Sequence, residues 1–510
     1  MLKLKTMAVA VTLALPMLAN AQTNAELKSE IDLLKAQINE LKAMVQHQAA
    51  TAPAAAPAAG DAVDPAEFAA VRTKVDALVD DKETAGFKGL RIYAGLDPTY
   101  IYNRAKNSSS FAFLNNSAPI NGSNEVFGYD NSTYGMAYVD FQKEMEGGTK
   151  LRLTLAPSKS TGSQYNFGNI VHEAYASIPL GGDPATRLMV GQIADISGYQ
   201  PWLNTYVGAN NIVSNQLFPG FGEYFITKNL LFDFTAATFF TGAGLDILRG
   251  SWEWKFIAGN FNSARNDVNA CPANDLSINS DGTVNQITTG TIACDPRPVR
   301  SPTFIYNAYY YINEFSGFEF TGYEGKVTNW VQGGASRLDS FEIDANYTRG
   351  DFNGNLQYTI GRQKNAALGP NGGDAQWWGL SALAAQRVTP ALTLAARVDY
   401  LNNEKNGGGT INVGNLLPLP LDQQGFVSQY VGDFYNGFGA GDPNAAGWDA
   451  NKGANRTSLA FSATYRLTPN VAFRGEIRHD HATTPSFYFF NDQSFRKSND
   501  VFGLQTVVNF

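Results

Sequence analysis

The stretch that decides the fold is Ser498 to Phe510, SNDVFGLQTVVNF. Phe502, Leu504, Thr506, Val508 and Phe510 alternate with Gly503, Gln505, Val507 and Asn509. A strand sends successive side chains to opposite faces, so this is a ribbon with one apolar side. The apolar side runs to the final aromatic. Taken alone, the stretch also suits an edge strand of a soluble sheet, and the rest of the chain must choose between them.

Working back from it, the same alternation recurs. It begins at Phe87, where Leu90, Ile92, Ala94 and Leu96 oppose Arg91, Tyr93 and Asp97. Further strands are expected near 132–146, 149–157, 169–180, 186–195, 236–248, 251–262, 302–315, 317–326, 338–348, 352–363, 374–388, 391–403, 456–467, 470–482 and 498–510, which makes sixteen. The connections alternate short and long. Short ones fall at Gly147-Gly148, Gly181–Ala185, Arg249-Gly250, around Ser316, Arg349–Asp351, Thr389-Pro390 and Thr468-Pro469. Between them lie longer ones, from 364–373 up to 404–455. Up-and-down membrane barrels segregate loop lengths in this way, and a soluble sandwich has no reason to. The expected fold is therefore an all-β membrane barrel of about sixteen antiparallel up-and-down strands over residues 86–510, with both ends on the side of the short turns.

Composition agrees. Charged residues are only 16% of the chain, against 49 Gly, 33 Phe and 23 Tyr. Beyond the N-terminus no apolar run is long enough for a membrane helix, so a spanning chain must close as a barrel. The formal net charge of −8 and the lack of a basic tract argue against nucleic acid as a partner.

Ahead of the barrel the sequence changes character. Residues 1–21 read as a signal peptide, with Lys3 and Lys5, an apolar middle and Ala19-Asn20-Ala21 as the cleavage site. Residues 22–48 read as an α-helical coiled coil. Thr23 and Glu26 form a capping box, and Leu27, Ile31, Leu34, Ile38, Leu41 and Val45 step by four and three. Ile at a with Leu at d favours two strands in an isolated coil, and dimer and trimer both stay open for this segment. Residues 49–63 are an Ala/Pro linker, and 64–85 a short helix capped at Asp64-Pro65. The N-terminal region is expected in the periplasm.

Strand parity also sorts the charges. Arg152 and Thr154 face in while Leu151, Leu153 and Leu155 face out; Glu342, Asp344, Asn346 and Thr348 oppose Phe341, Ile343, Ala345 and Tyr347. Arg397, Arg466, Arg474 and Arg478 point inward on late strands and Arg91 on the first, a basic sector tempered by Asp399, Glu476 and Asp480. Inward acids Asp140, Glu173, Glu342 and Asp344 lie round the barrel from it. All are expected to line the pore. Trp252, Trp254, Tyr309, Tyr310, Tyr311, Trp377 and Trp378 stand near strand ends, as interfacial girdles do. Residues 196–235, rich in Asn, suit either an external loop or one folded into the lumen.

The closing strand with its terminal Phe resembles the last strand of Gram-negative outer-membrane barrels, and Leu467–Asp480, LTPNVAFRGEIRHD, resembles proteobacterial porin-like families. Signal, coiled coil and barrel together resemble porins with a periplasmic coiled coil, such as the DcaP-like family and related porin-like proteins of unknown function. The resemblance implies a homotrimer in outer-membrane lipid, passing small hydrophilic solutes and favouring organic anions such as carboxylates. The arginine sector would supply bidentate partners for those carboxylates.

Other chemistry finds little support. Cys271 and Cys294 share one long loop in an exported chain, which favours a disulfide worth about 3 kcal/mol in the chain-entropy model. His479-Asp480-His481 is a rim motif rather than a metal corner, and no nucleotide fingerprint or nucleophile elbow occurs, so no cofactor, metal or catalytic residue is expected. The alternatives to a channel are a tether joining the membrane to the cell wall through the coiled coil, and a barrel hydrolase.

Overall fold

The computed structural model describes residues 89–105, 107–113, 134–156, 171–194, 196, 224–235, 239–262, 276–278, 284–286, 302–329, 335–410, 436–489 and 491–509. The signal peptide, coiled coil, linker, short helix, both cysteines and Phe510 lie outside the described residues. So does most of 196–235.

Sixteen antiparallel staves close on themselves. The first is β1 (Leu90–Leu96) continued by β2 (Thr99–Asn103). Beside it stand β3 (Ser108–Ala112) above and β4 (Ala137–Glu144) below. The sheet proceeds through β5 (Lys150–Leu155), β6 (Val171–Leu180), β7 (Asp183–Ala194), β8 (Phe239–Arg249) and β9 (Trp252–Asn262). A short hairpin, β10 (Leu276–Ile278) with β11 (Val284–Gln286), lies in the next connection. Then come β12 (Thr303–Asn313), β13 (Ser316–Thr328), β14 (Ala335–Arg349), β15 (Phe352–Gln363), β16 (Ala375–Arg387) and β17 (Leu392–Asn402). Last are β18 (Arg456–Thr468), β19 (Val471–Ala482), a second hairpin of β20 (Phe487–Phe489) and β21 (Ser494–Arg496), and β22 (Ser498–Asn509). β22 pairs with β19 on one side and with both halves of the first stave on the other, which closes the ring.

The first stave runs past the boundary expected at Asp97. Gly95 and Leu96 pair with Asn509 and Val508, and Thr99 resumes the same register against Gln505. Pro98 cannot donate to a ladder, which is why the sequence reads as a strand end there. The buried Asp97 bridges the break. Its carboxylate accepts the Met136 N–H and the Gln505 amide, and its carbonyl accepts the Thr99 hydroxyl at 2.7 Å. Backbone carbonyl and amide that Pro98 would orphan are thus kept in a bonded frame.

Short turns gather at one end. Gly147, Gly148, Gly181, Gly182, Gly250 and Gly350 all have positive φ, the geometry of tight hairpin turns that residues with a Cβ resist. The two Thr-Pro turns work differently: Thr389 Oγ1 accepts the Leu392 N–H, and Thr468 Oγ1 the Asn470 N–H.

Exposure follows parity. Leu153, Phe256, Leu356, Ile360, Leu394 and Phe461 are exposed outside, while Thr154, Glu342, Gln357, Ser381 and Ser458 are buried inside. A barrel with apolar exterior and polar interior is the arrangement a lipid-embedded channel requires. Girdle aromatics divide by the same rule. Trp252, Trp254 and Tyr310 cluster outside at the short-turn end, and Trp378 packs on Tyr400 outside near the other. Tyr309 and Trp377 are 8% and 2% exposed and face inward, and the Tyr311 hydroxyl donates to Glu253, so these three are not girdle residues.

Candidate functional site: a segment seated in the lumen

The inner face is polar in its lower half and apolar above. Phe240, Ile305, Tyr323, Leu338, Trp377 and Leu401 face inward and are buried. They are covered by the end of the connection between β7 and β8, residues 224–235, which folds inside the barrel. Its helix α1 (Leu230–Thr235) contributes Leu230, Leu231 and Phe234 to that apolar cluster. Asn229 caps α1 by accepting the Phe232 N–H at 2.6 Å, and its amide donates to Gln357 and Ser381 on the wall. The sequence left open whether 196–235 enters the lumen; its last dozen residues do.

The basic sector receives this segment. Arg397 donates to the Thr227 carbonyl at 2.8 Å and the Lys228 carbonyl at 3.0 Å, and its guanidinium stacks on Phe225 at 4.5 Å. Arg478 donates to the Lys228 carbonyl at 2.8 Å and the Thr227 hydroxyl at 3.0 Å. Arg474 reaches the Phe225 carbonyl at 3.4 Å and Gln505 at 2.7 Å. Glu476 accepts the Ile226 and Thr227 N–H groups, and Asp399 the Leu230 N–H at 3.3 Å. The Ser462 hydroxyl donates to the Tyr224 carbonyl. A segment without sheet partners must satisfy its backbone somehow, and here wall side chains do it.

The same arginines pair with neighbouring acids. Arg397 meets Asp399 at 3.2 Å; Arg478 and Arg456 meet Asp480 at 3.0 and 2.9 Å. Buried guanidinium and carboxylate stay charged only where such partners replace water. Arg456, missed by the sequence reading, is fully buried between the rings of Phe438 and Phe487. Its parity with Ser458 and Ala460 was the available signal.

The other expected lining residues are placed separately. Arg152 is buried with Asp140 at 3.1 Å and Glu173 at 3.4 Å, an ion cluster on β4–β6. Arg91 is level with Gln142 but exposed at the short-turn end. Arg466 is likewise exposed there, beside a bulge, and joins none of the bonds to the segment. Glu342 and Asp344 are buried on β14, three to five staves round the ring from the arginines. Sequence reasoning did not single out the neighbours that make this wall acidic: Asp246, Glu253 and Glu319, with Lys255 bonded to Glu253 at 2.8 Å. Parity alone marks all of them. Among the described residues no cluster of His, Cys, Asp or Glu suits a metal ion.

Residues 64–510 match the family model described as "Protein of unknown function (DUF3138)". No curated protein matches the chain. Among solved structures, an anion-selective porin from Comamonas acidovorans shares 9% identity at a TM-score of 0.44, covering 82% of this chain and 99% of that one. The outer membrane channel DcaP of Acinetobacter baumannii shares 9% at 0.44, covering 82% and 97%. Salmonella typhi OmpF shares 13% at 0.41, covering 82% and 97%. Likenesses this distant bear on neither solute nor selectivity.

Proposed function

The chain belongs to the DUF3138 family, whose description assigns no activity, and from its barrel we propose a passive diffusion channel for small hydrophilic solutes in a Gram-negative outer membrane. One observation carries this reading. A closed barrel of sixteen staves, apolar outside and polar inside, holds a segment of its own long connection against the inner wall. Sixteen staves enclose more space than wall side chains fill, and a seated segment narrows that space. The long connections are then external and the N-terminal region periplasmic. The test is ion conductance of the purified protein in a planar bilayer. Discrete steps are expected; a silent protein that still shows heat-modifiable barrel migration would overturn the reading and leave the tether.

The finer proposal is a preference for small organic anions such as carboxylates. Vacant guanidinium forks do not support it, since Arg397, Arg474 and Arg478 donate to the seated segment. What supports it is the excess of one positive charge in that sector, where Arg397, Arg456, Arg474 and Arg478 stand against Asp399, Glu476 and Asp480, while the wall of β8–β14 is acidic. A reversal potential in a salt gradient decides between the walls: an anion-selective sign is expected, and a cation-selective sign would give the path to the acids. A homotrimer held by the barrel walls, with Cys271 joined to Cys294, completes the proposal.

A further inference from the structure

We propose that the outer wall of β12–β17, at the end of the long connections, binds a bisphosphorylated acyl-glycolipid of the lipid A type. This goes beyond the channel reading and rests on it only for which end faces outward.

The wall is layered there. In the uppermost layer Lys326 lies in register with Arg337, and the backbone N–H of Lys364 joins the Arg337 carbonyl, so three cations stand side by side. Lys405, just past β17, extends the layer by donating to Gln376 at 2.8 Å. In the next layer Glu324, Asp339 and Arg362 are in register. Below them Gly322, Phe341, Ile360 and Trp378 form an apolar row. Gly322 makes a notch, because the Tyr306 ring occupies the space a side chain there would need.

These layers surround a groove of about 480 Å³ lined by Tyr306, Phe341, Ile360, Trp378, Arg362 and Lys405. The groove's own lining is balanced, Arg362 and Lys405 against Glu324 and Asp339, while across the layers the five cations Lys326, Arg337, Arg362, Lys364 and Lys405 exceed the four acids Glu324, Asp339, Asp374 and Glu404 by one. Asp339 serves both Arg337 at 2.7 Å and Arg362 at 3.4 Å, and Asp374 serves both Lys364 at 2.8 Å and Arg362 at 3.9 Å. Glu404, next to Lys405, is held by Asn455. Arg337 remains 60% exposed and Arg362 44%.

That order, cation over mixed charge over aromatic and aliphatic, is the order of a phosphorylated glycolipid from headgroup to acyl chain. Guanidinium forks take phosphate oxygens in pairs. Lys326, Arg337 and Arg362 sit on neighbouring staves about 4.8 Å apart, with Lys364 and Lys405 just beyond the ends of theirs, so the row is wide enough to meet two phosphates on one sugar backbone. A protein partner fits less well, because interface centres are depleted of charge.

The test is binding of bisphosphoryl lipid A to the full-length protein in neutral detergent, read by native mass spectrometry. Parallel arms use phosphatidylglycerol and inorganic phosphate. Lipid A should bind about ten-fold more tightly than phosphatidylglycerol, and millimolar phosphate should not displace it. In R337Q/R362Q/K405Q the affinity should fall about ten-fold, roughly 1.4 kcal/mol, with single-channel conductance unchanged. Affinity within two-fold of the parent overturns the proposal. So does equal binding of phosphatidylglycerol, or a changed oligomer mass with lipid A binding intact, which would make this wall an interface between copies. Lys405→Gln, which lies outside the staves and gives up one bond to Gln376, gives the same readout should the triple variant misfold. Absence of conductance in the parent would count against the channel alone.

Discussion

At the scale of single residues, Arg478 and Arg397 show what alternation reveals and what it hides. Parity put both guanidinium groups inside. It could not show that they bind carbonyls of Thr227 and Lys228, 170 or 250 positions away. Every residue has a carbonyl, so no letter in the sequence marks the acceptor. Replacing Arg478 by Gln leaves Asp480 with Arg456 as its remaining guanidinium partner and removes two bonds to the segment. Breaking a buried pair on one side costs on the order of 3 kcal/mol. The barrel's thermal unfolding midpoint should drop, and its conductance should become larger and noisier as the segment loosens. Lys228, on the connection rather than on a stave, adds a pH dependence. Burial pushes its ammonium down to about 7, partly offset by Asp233. Released into water the group titrates near 10.4, so between these values the seated state carries fewer protons. Seating therefore strengthens as pH rises through 7 and is weakest below it. Current noise should be greater at pH 6 than at pH 8.5, and Lys228→Met should flatten the difference. An unchanged profile in that variant would assign the effect elsewhere.

At the scale of elements, the staves were legible because lipid outside and polar groups inside impose a strict period of two. Two departures have local causes. The alternation read from the sequence goes no further than Asp97, yet Asp97 carries the stave across Pro98. Expected strand 132–146 is shortened to β4, because β3 occupies the place above it beside β2. The seated segment was half legible. Asn229 before Leu230, Leu231 and Phe234 is a capped apolar turn inside a long connection, but nothing in the sequence says which surface it covers. Its seat is testable by cross-linking. The Asn229 amide lies 3.2 Å from the Ser381 hydroxyl. With Cys271 and Cys294 replaced by Ser, N229C/S381C should form a disulfide with dissolved oxygen as the two-electron oxidant, quieting the current, and reductant should restore the parent trace. Failure of the pair to oxidise, with the barrel folded, would unseat the segment.

At the scale of the whole molecule, loop parity fixes two further outcomes. An epitope inserted near Asn444 should be reachable on intact cells and one near Thr468 should not; the reverse labelling would invert the barrel. A form lacking residues 22–85 should keep the oligomeric mass of the full chain, whereas a monomer would make the coiled coil the driver of assembly. The ring closure described above also governs how the protein is made. Gly95 finds its partner at Asn509, so the first stave, paired locally with β4 on its other side, waits for nearly the whole polypeptide before its ladder with β22 exists. Pairings of such sequence separation are slow to form, and until then two unpaired edges are open to neighbouring chains. The seam thus makes this a late-closing protein, dependent during export on whatever shields both edges, and a chain shortened within β22 should be lost to aggregation or proteolysis instead of persisting as a smaller barrel.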